Sequence, residues 1–102
     1  MTETQQKLAF LRNPKIDPAD EIFGMMMCSA VRYAIGRMTY IVDTTTMYVE
    51  RYMHYMDQHA LQNICDDITK NEELNNLGMG IDRAQWLHLR QEIIGELQAR
   101  NV

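Results

Sequence analysis

Asp17-Pro18 and Gly36 bracket the stretch that most constrains this chain, because the residues between them are apolar on almost every helical face. Ile22, Phe23, Met25, Met26, Met27, Cys28, Ala30, Val31, Tyr33, Ala34 and Ile35 all fall inside it. Asp17 is the expected N-cap, with Pro18 at the first helical position, where its missing N–H costs nothing. Asp20 and Glu21 add negative charge in the first turn, which suits the helix dipole. Gly36 is the expected C-terminal stop after Ile35. A helix apolar all round is either central to a core or covered by a second subunit. A homo-oligomer, most simply a dimer, is therefore expected.

The remaining segments also read as helices, which makes the expected fold all-α, a single-domain compact bundle of four to five helices. A short first helix spans Thr4 to Arg12 and stops before Asn13-Pro14, since proline disfavours helix in the residue preceding it. A third helix spans roughly Tyr40 to Met56, with Ile41/Val42, Thr45, Tyr48/Val49, Tyr52/Met53 and Met56 at 3.6-residue spacing. The β-branched run Thr44-Thr45-Thr46 lowers helix propensity, so a strand start near residues 39–42 is the alternative there. Asp57 caps a helix from Gln58 to about Lys70, carrying Leu61, Ile64, Cys65 and Ile68 on one face. Residues 71–80 form a loop with Asn75-Asn76, Gly78 and Gly80 as breakers. Asp82 opens the last helix, Gln85 completes a capping-box-like pattern, and Trp86, Leu89/Arg90, Ile93/Ile94 and Leu97 make its buried stripe.

Composition removes several functional classes. The 102 residues carry a formal net charge of −4, the wrong sign for an autonomous duplex-DNA binder. Neither a membrane span nor a signal peptide is expected. A cytosolic location is expected, and no cofactor is expected. Cys28 and Cys65 supply no disulfide framework and no CxxC knuckle, and both sit in apolar stretches that suit inert thiols. His54, His59 and His88 include no i,i+4 pair and no HExxH, so no metal site is expected. The adjacent carboxylates Asp66-Asp67 and Glu72-Glu73 point in different directions on a helix and read as a solvated face. No nucleophile elbow, P-loop or dinucleotide fingerprint occurs, and the chain is not expected to be an enzyme. The nine methionines read mainly as irregular core filling, with a share at a subunit interface.

Two clusters offer more. One is the row Tyr48, Tyr52, Tyr55, with Arg51 and His54 beside it. The other gathers Arg32, Tyr33, Arg37, Thr39 and Tyr40 around one helix end. Arginine supplies a planar fork for carboxylate or phosphate, and tyrosine supplies a stacking surface with a polar tip. If Gly36 turns the chain sharply, Arg37 approaches the unpaired N–H groups of the next helix and makes an anion site with Thr39. The competing reading of the same residues is a tight helix corner in which Arg37 clamps carbonyls or pairs with an acid.

Residues 30–42, with the core Arg32-Tyr33-Ala34-Ile35-Gly36-Arg37-Met38-Thr39-Tyr40, resemble an RYA-x-GR-x-TY signature of small uncharacterised proteins encoded by bacteriophages and prophages. Leu77-Gly78-Met79-Gly80-Ile81-Asp82-Arg83-Ala84-Gln85-Trp86 resembles a second segment of that group. The resemblance implies phage origin, and small phage accessory proteins act by binding. The expected function is antagonism of host antiviral defence by sequestering a nucleotide-like immune signal at Arg32, Tyr33, Arg37, Thr39 and Tyr40. The alternative is a protein-directed, anti-CRISPR-like inhibitor of a host defence complex that presents the acidic residues Asp57, Asp66, Asp67, Glu72 and Glu73.

Overall fold

A computed structural model describes residues 15–101, and the expected helix from Thr4 to Arg12 lies outside them. Four helices make up the described chain, with no strand among these residues: α1 (Glu21–Ala34), α2 (Thr39–Tyr52), α3 (Gln58–Glu73) and α4 (Ile81–Arg100). The described residues are all-α, in agreement with the expected fold class, and residues 39–42 are helical. The threonine run is accommodated by back-bonding: Thr44 donates to the Tyr40 carbonyl at 2.8 Å and Thr46 to the Val42 carbonyl at 2.9 Å.

Several boundaries differ from expectation for local reasons. The N-cap of α1 is Asp20, whose carboxylate accepts from the Ile22 N–H at 2.8 Å. Asp17 instead opens a turn, its carbonyl accepting from the Asp20 N–H at 2.8 Å, with Pro18 at the turn position that proline favours. The helix from Gln58 runs on to Glu73, past Lys70, and Asn71 is helical, its amide donating to the Asp67 carbonyl at 2.8 Å. Asp57 does cap α3, accepting from the N–H groups of His59 and Ala60. In α4 the capping residue is Gly80, at φ 59° and without a side-chain cap, so Asp82 lies inside the first turn. Gln85 is no capping-box partner. Its amide donates to Asp43, and its carbonyl oxygen accepts from the Thr46 hydroxyl at 3.1 Å.

The helices pair as two hairpins. In the first, Phe23 near the start of α1 meets Tyr52 at the end of α2 edge-on, with ring centroids 5.4 Å apart. In the second, Cys65 of α3 lies near Arg90 of α4, and Glu72 lies near Arg83. The hairpins stand side by side, α1 along α3 and α2 along α4. Both of these pairs are parallel. Arg32 meets Asp67 where Gly24 meets Ala60 one end earlier, and His54 meets Glu96 where Asp43 meets Gln85.

Phe23, Met27 and Val31 of α1, Val49 of α2, Leu61, Ile64 and Ile68 of α3, and Trp86, Leu89 and Ile93 of α4 fill the space between. Met53, Met56 and Leu77 close the ends of the core. Only three of the described methionines are buried, whereas Met25, Met38, Met47 and Met79 are exposed, so core filling accounts for a minority of them. No described helix is long and apolar enough to cross a membrane.

The hairpin geometry positions the candidate site. The α1–α2 connection and the α3–α4 connection lie at the same end of the molecule and touch each other, the place of Gly36 facing the Asn76 carbonyl.

Candidate functional site

Gly36 takes φ 82°, a left-handed conformation that side chains resist, and this lets α2 start with only four residues between it and the end of α1. The Arg37 N–H donates to the Ala34 carbonyl at 3.0 Å, which fixes the turn. Arg37 then folds back over α1. Its Nε donates to the Tyr33 carbonyl at 3.1 Å, and its guanidinium lies 4.5 Å from the Tyr33 ring centroid.

Among the described residues no carboxylate pairs with Arg37, whereas Arg32, Arg83, Arg90 and Arg100 each have an acidic partner. The terminal nitrogens of Arg37 therefore face solvent with their donors intact. Tyr33, Gly36, Arg37, Met38, Tyr40 and Ile41 line an open depression of about 470 Å³.

The five sequence-selected residues separate into two groups. Tyr33, Arg37 and Tyr40 share the depression. Arg32 points away to α3, where its Nε reaches Asp67 at 2.8 Å. Thr39 turns its hydroxyl to Asp82 Oδ2 at 3.3 Å, which ties the start of α2 to the first turn of α4. A carboxylate thus stands where the anion site was expected to use Thr39. Residues 30–42 and 77–86 meet at this hydrogen bond.

Exposed apolar side chains gather at this end of the molecule. Met38 is 65% exposed, Tyr40 56%, Ile81 70% and Met79 88%. The last two flank Asp82 and Gly80 on the neighbouring connection, so they belong to the same end of the molecule. Sequence reasoning missed Met79 and Ile81. They lie far along the chain from Arg37, and the Gly36–Asn76 and Thr39–Asp82 contacts bring the two connections to one end.

The other candidate features are spent inside the fold. The tyrosine row does not form one surface, because α2 ends at Tyr52 and Tyr55 falls in the turn beyond it. Tyr48 lies under Arg51, whose guanidinium is 4.8 Å from its ring centroid, and His54 contacts Glu96 at 2.8 Å. Of the acidic residues, Asp67 pairs with Arg32, Glu72 with Arg83 and Arg90, and Asp57 caps α3. Asp66 accepts from the Gln62 amide at 3.1 Å. Both thiols are buried. Burial pushes Cys65 up to about 11, aided by the Asp66 charge and opposed by Arg90. Burial also raises Cys28, against the pull of Arg32. At neutral pH both stay protonated and poorly nucleophilic.

No protein-family model, curated protein or solved structure matches this chain. A functional reading of the corner comes from its chemistry.

Proposed function

We propose that this chain acts by binding a partner protein through the Arg37 corner, as a phage accessory protein that antagonises host defence. The observation that carries the reading is a guanidinium with no carboxylate partner among the described residues, seated on Tyr33 beside exposed Met38 and Tyr40, with Met79 and Ile81 exposed at the same end of the molecule. Arginine, tyrosine and methionine are enriched in interface centres, where a few such anchors supply most of the affinity. An exposed apolar patch around a polar anchor is the usual mark of a docking surface. The guanidinium fork then selects a carboxylate on the partner, placed between its apolar contacts.

Sequestration of a nucleotide-like signal has less support. Small-molecule sites bury most of their ligand, and this depression is open. Asp82 at the Thr39 hydroxyl also opposes an anion beside the first turn of α2. The acidic, nucleic-acid-mimicking version of a protein-directed inhibitor is weakened too, since Asp67 and Glu72 are neutralised within the chain. A homo-oligomer remains part of the proposal. Phe23, Met27 and Val31 of α1 are covered by the chain itself, but Ile22 and Met25 stay exposed, and a second copy would cover them.

Plating efficiency tests the biological setting. Phage titred on a panel of defended host strains expressing the wild-type chain should rise on at least one strain, and Arg37→Ala should abolish the rise. Full rescue by Arg37→Ala would remove the corner from the mechanism.

A further inference from the structure

The α2–α4 seam is a ladder of polar pairs, and one rung differs from the rest. At the first rungs Thr39 donates to Asp82, and Gln85 bridges Asp43 and Thr46. At the last rung Glu96 receives His54 at 2.8 Å and Arg100 at 3.1 Å. Between them Glu50 of α2 faces Glu92 of α4, with His88 one turn earlier on α4. Among the described residues neither glutamate has an arginine or lysine partner.

We propose that Glu50, His88 and Glu92 form a site for one divalent transition-metal ion of the zinc class, bridging α2 and α4. One ligand atom from each lies within 4.8 Å of the other two. His88 Nε2 and Glu92 Oε1 are 3.1 Å apart. That approach is not aligned as a hydrogen bond, and Oε1 is shut off from solvent with no donor. An imidazole nitrogen and a carboxylate oxygen one helical turn apart on the same face are a pair that a cation can bridge. Ligand bonds of about 2.0–2.2 Å in a tetrahedron separate ligand atoms by about 3.4 Å. Glu50 and His88 are exposed, which leaves their side chains room to adjust around an ion.

The charge arrangement supports the same assignment, because two glutamates meet across the seam with no arginine or lysine partner among the described residues, and a bound cation would balance them. The imidazole selects zinc-like ions over magnesium or calcium, which prefer all-oxygen sites. Three protein ligands leave a coordination position for water. The next rung cannot compete, because Arg100 already neutralises Glu96.

Untagged chain titrated calorimetrically with Zn2+ should take up one ion per chain and melt at a higher temperature, with chelator reversing both effects. His88→Ala, a change at an exposed residue, should weaken uptake at least tenfold, and Glu50→Gln combined with Glu92→Gln should do the same. His54→Ala should leave uptake unchanged. Co2+ should give a visible d–d absorption band that His88→Ala abolishes. Absence of saturable uptake, or uptake that survives His88→Ala, overturns the site.

Discussion

At the scale of single residues, Gly24 shows how one missing methyl sets the spacing of two helices. A Cβ there would lie 2.6 Å from the Cβ of Ala60, which has no flexible end to move aside. Alanine in a helix interior normally gains about 0.5–1 kcal/mol over glycine. The overlap costs more. Gly24→Ala should destabilise the fold by about 1–3 kcal/mol in denaturant unfolding, the range for forcing extra volume into a packed contact. Arg37 is the opposite case. Its contacts are a carbonyl and a ring on its own helix turn, and its side chain is exposed, so Arg37→Ala should change stability by no more than about 0.5 kcal/mol. A loss of several kcal/mol would restore the reading of Arg37 as a structural clamp.

At the scale of elements, Arg100 explains what local pattern alone left hidden. Its Nη1 donates to the Met56 carbonyl at 2.8 Å, and Nη2 donates to the Met53 carbonyl at 2.9 Å. These bonds hold residues 53–56 as tight turns and end α2 at Tyr52, where hydrophobic spacing alone continues to Met56. The cause sits at the far end of the last helix, so no window on α2 contains it. By contrast, the Asp57 cap and the Leu61, Ile64, Ile68 stripe depend only on neighbours and were legible. Arg100→Ala should cost about 1.5–3 kcal/mol, the range for hydrogen bonds to a charged group.

Glu96 gives this end of the seam a pH dependence. His54 first, and then Arg100, hold its carboxyl below the ordinary 4.5. The stability it contributes is therefore complete above that value and is lost as pH falls through the lowered one. Glu96→Gln should flatten the acid limb of a melting-temperature profile below about pH 4.5, and an unchanged limb would place the acid sensitivity elsewhere. Glu50 has the opposite sign. Its raised pKa favours the folded chain at low pH, and that contribution is lost as pH rises above 4.5.

At the scale of the whole molecule, two parallel helix pairs built from two hairpins bring residues 36–40 and 76–82 to one end. Residues 32–40 were legible as a cluster because they are contiguous around one glycine. Their division, with Arg32 toward Asp67 and Thr39 toward Asp82, was not legible, since each partner belongs to the other hairpin. The same holds for the Glu50–His88–Glu92 rung. The His88–Glu92 spacing was readable, but Glu50 joins it only through the parallel register of α2 and α4. Exposed Ile22 and Met25 lead to an expected dimer. Sedimentation at micromolar concentration should give twice the 12.0 kDa chain mass, and a monomer would count against self-association.

Arg51 on Tyr48 supplies the control that isolates the corner, being a second exposed arginine over a tyrosine on the same helix as Tyr40. The measurement is quantitative affinity capture from infected host cells with the wild-type chain, Arg37→Ala and Arg51→Ala, alongside the melting temperature of each. The account predicts a protein partner retained by the wild type and Arg51→Ala and lost by Arg37→Ala, with all three chains melting alike. A partner captured equally well by Arg37→Ala would contradict it.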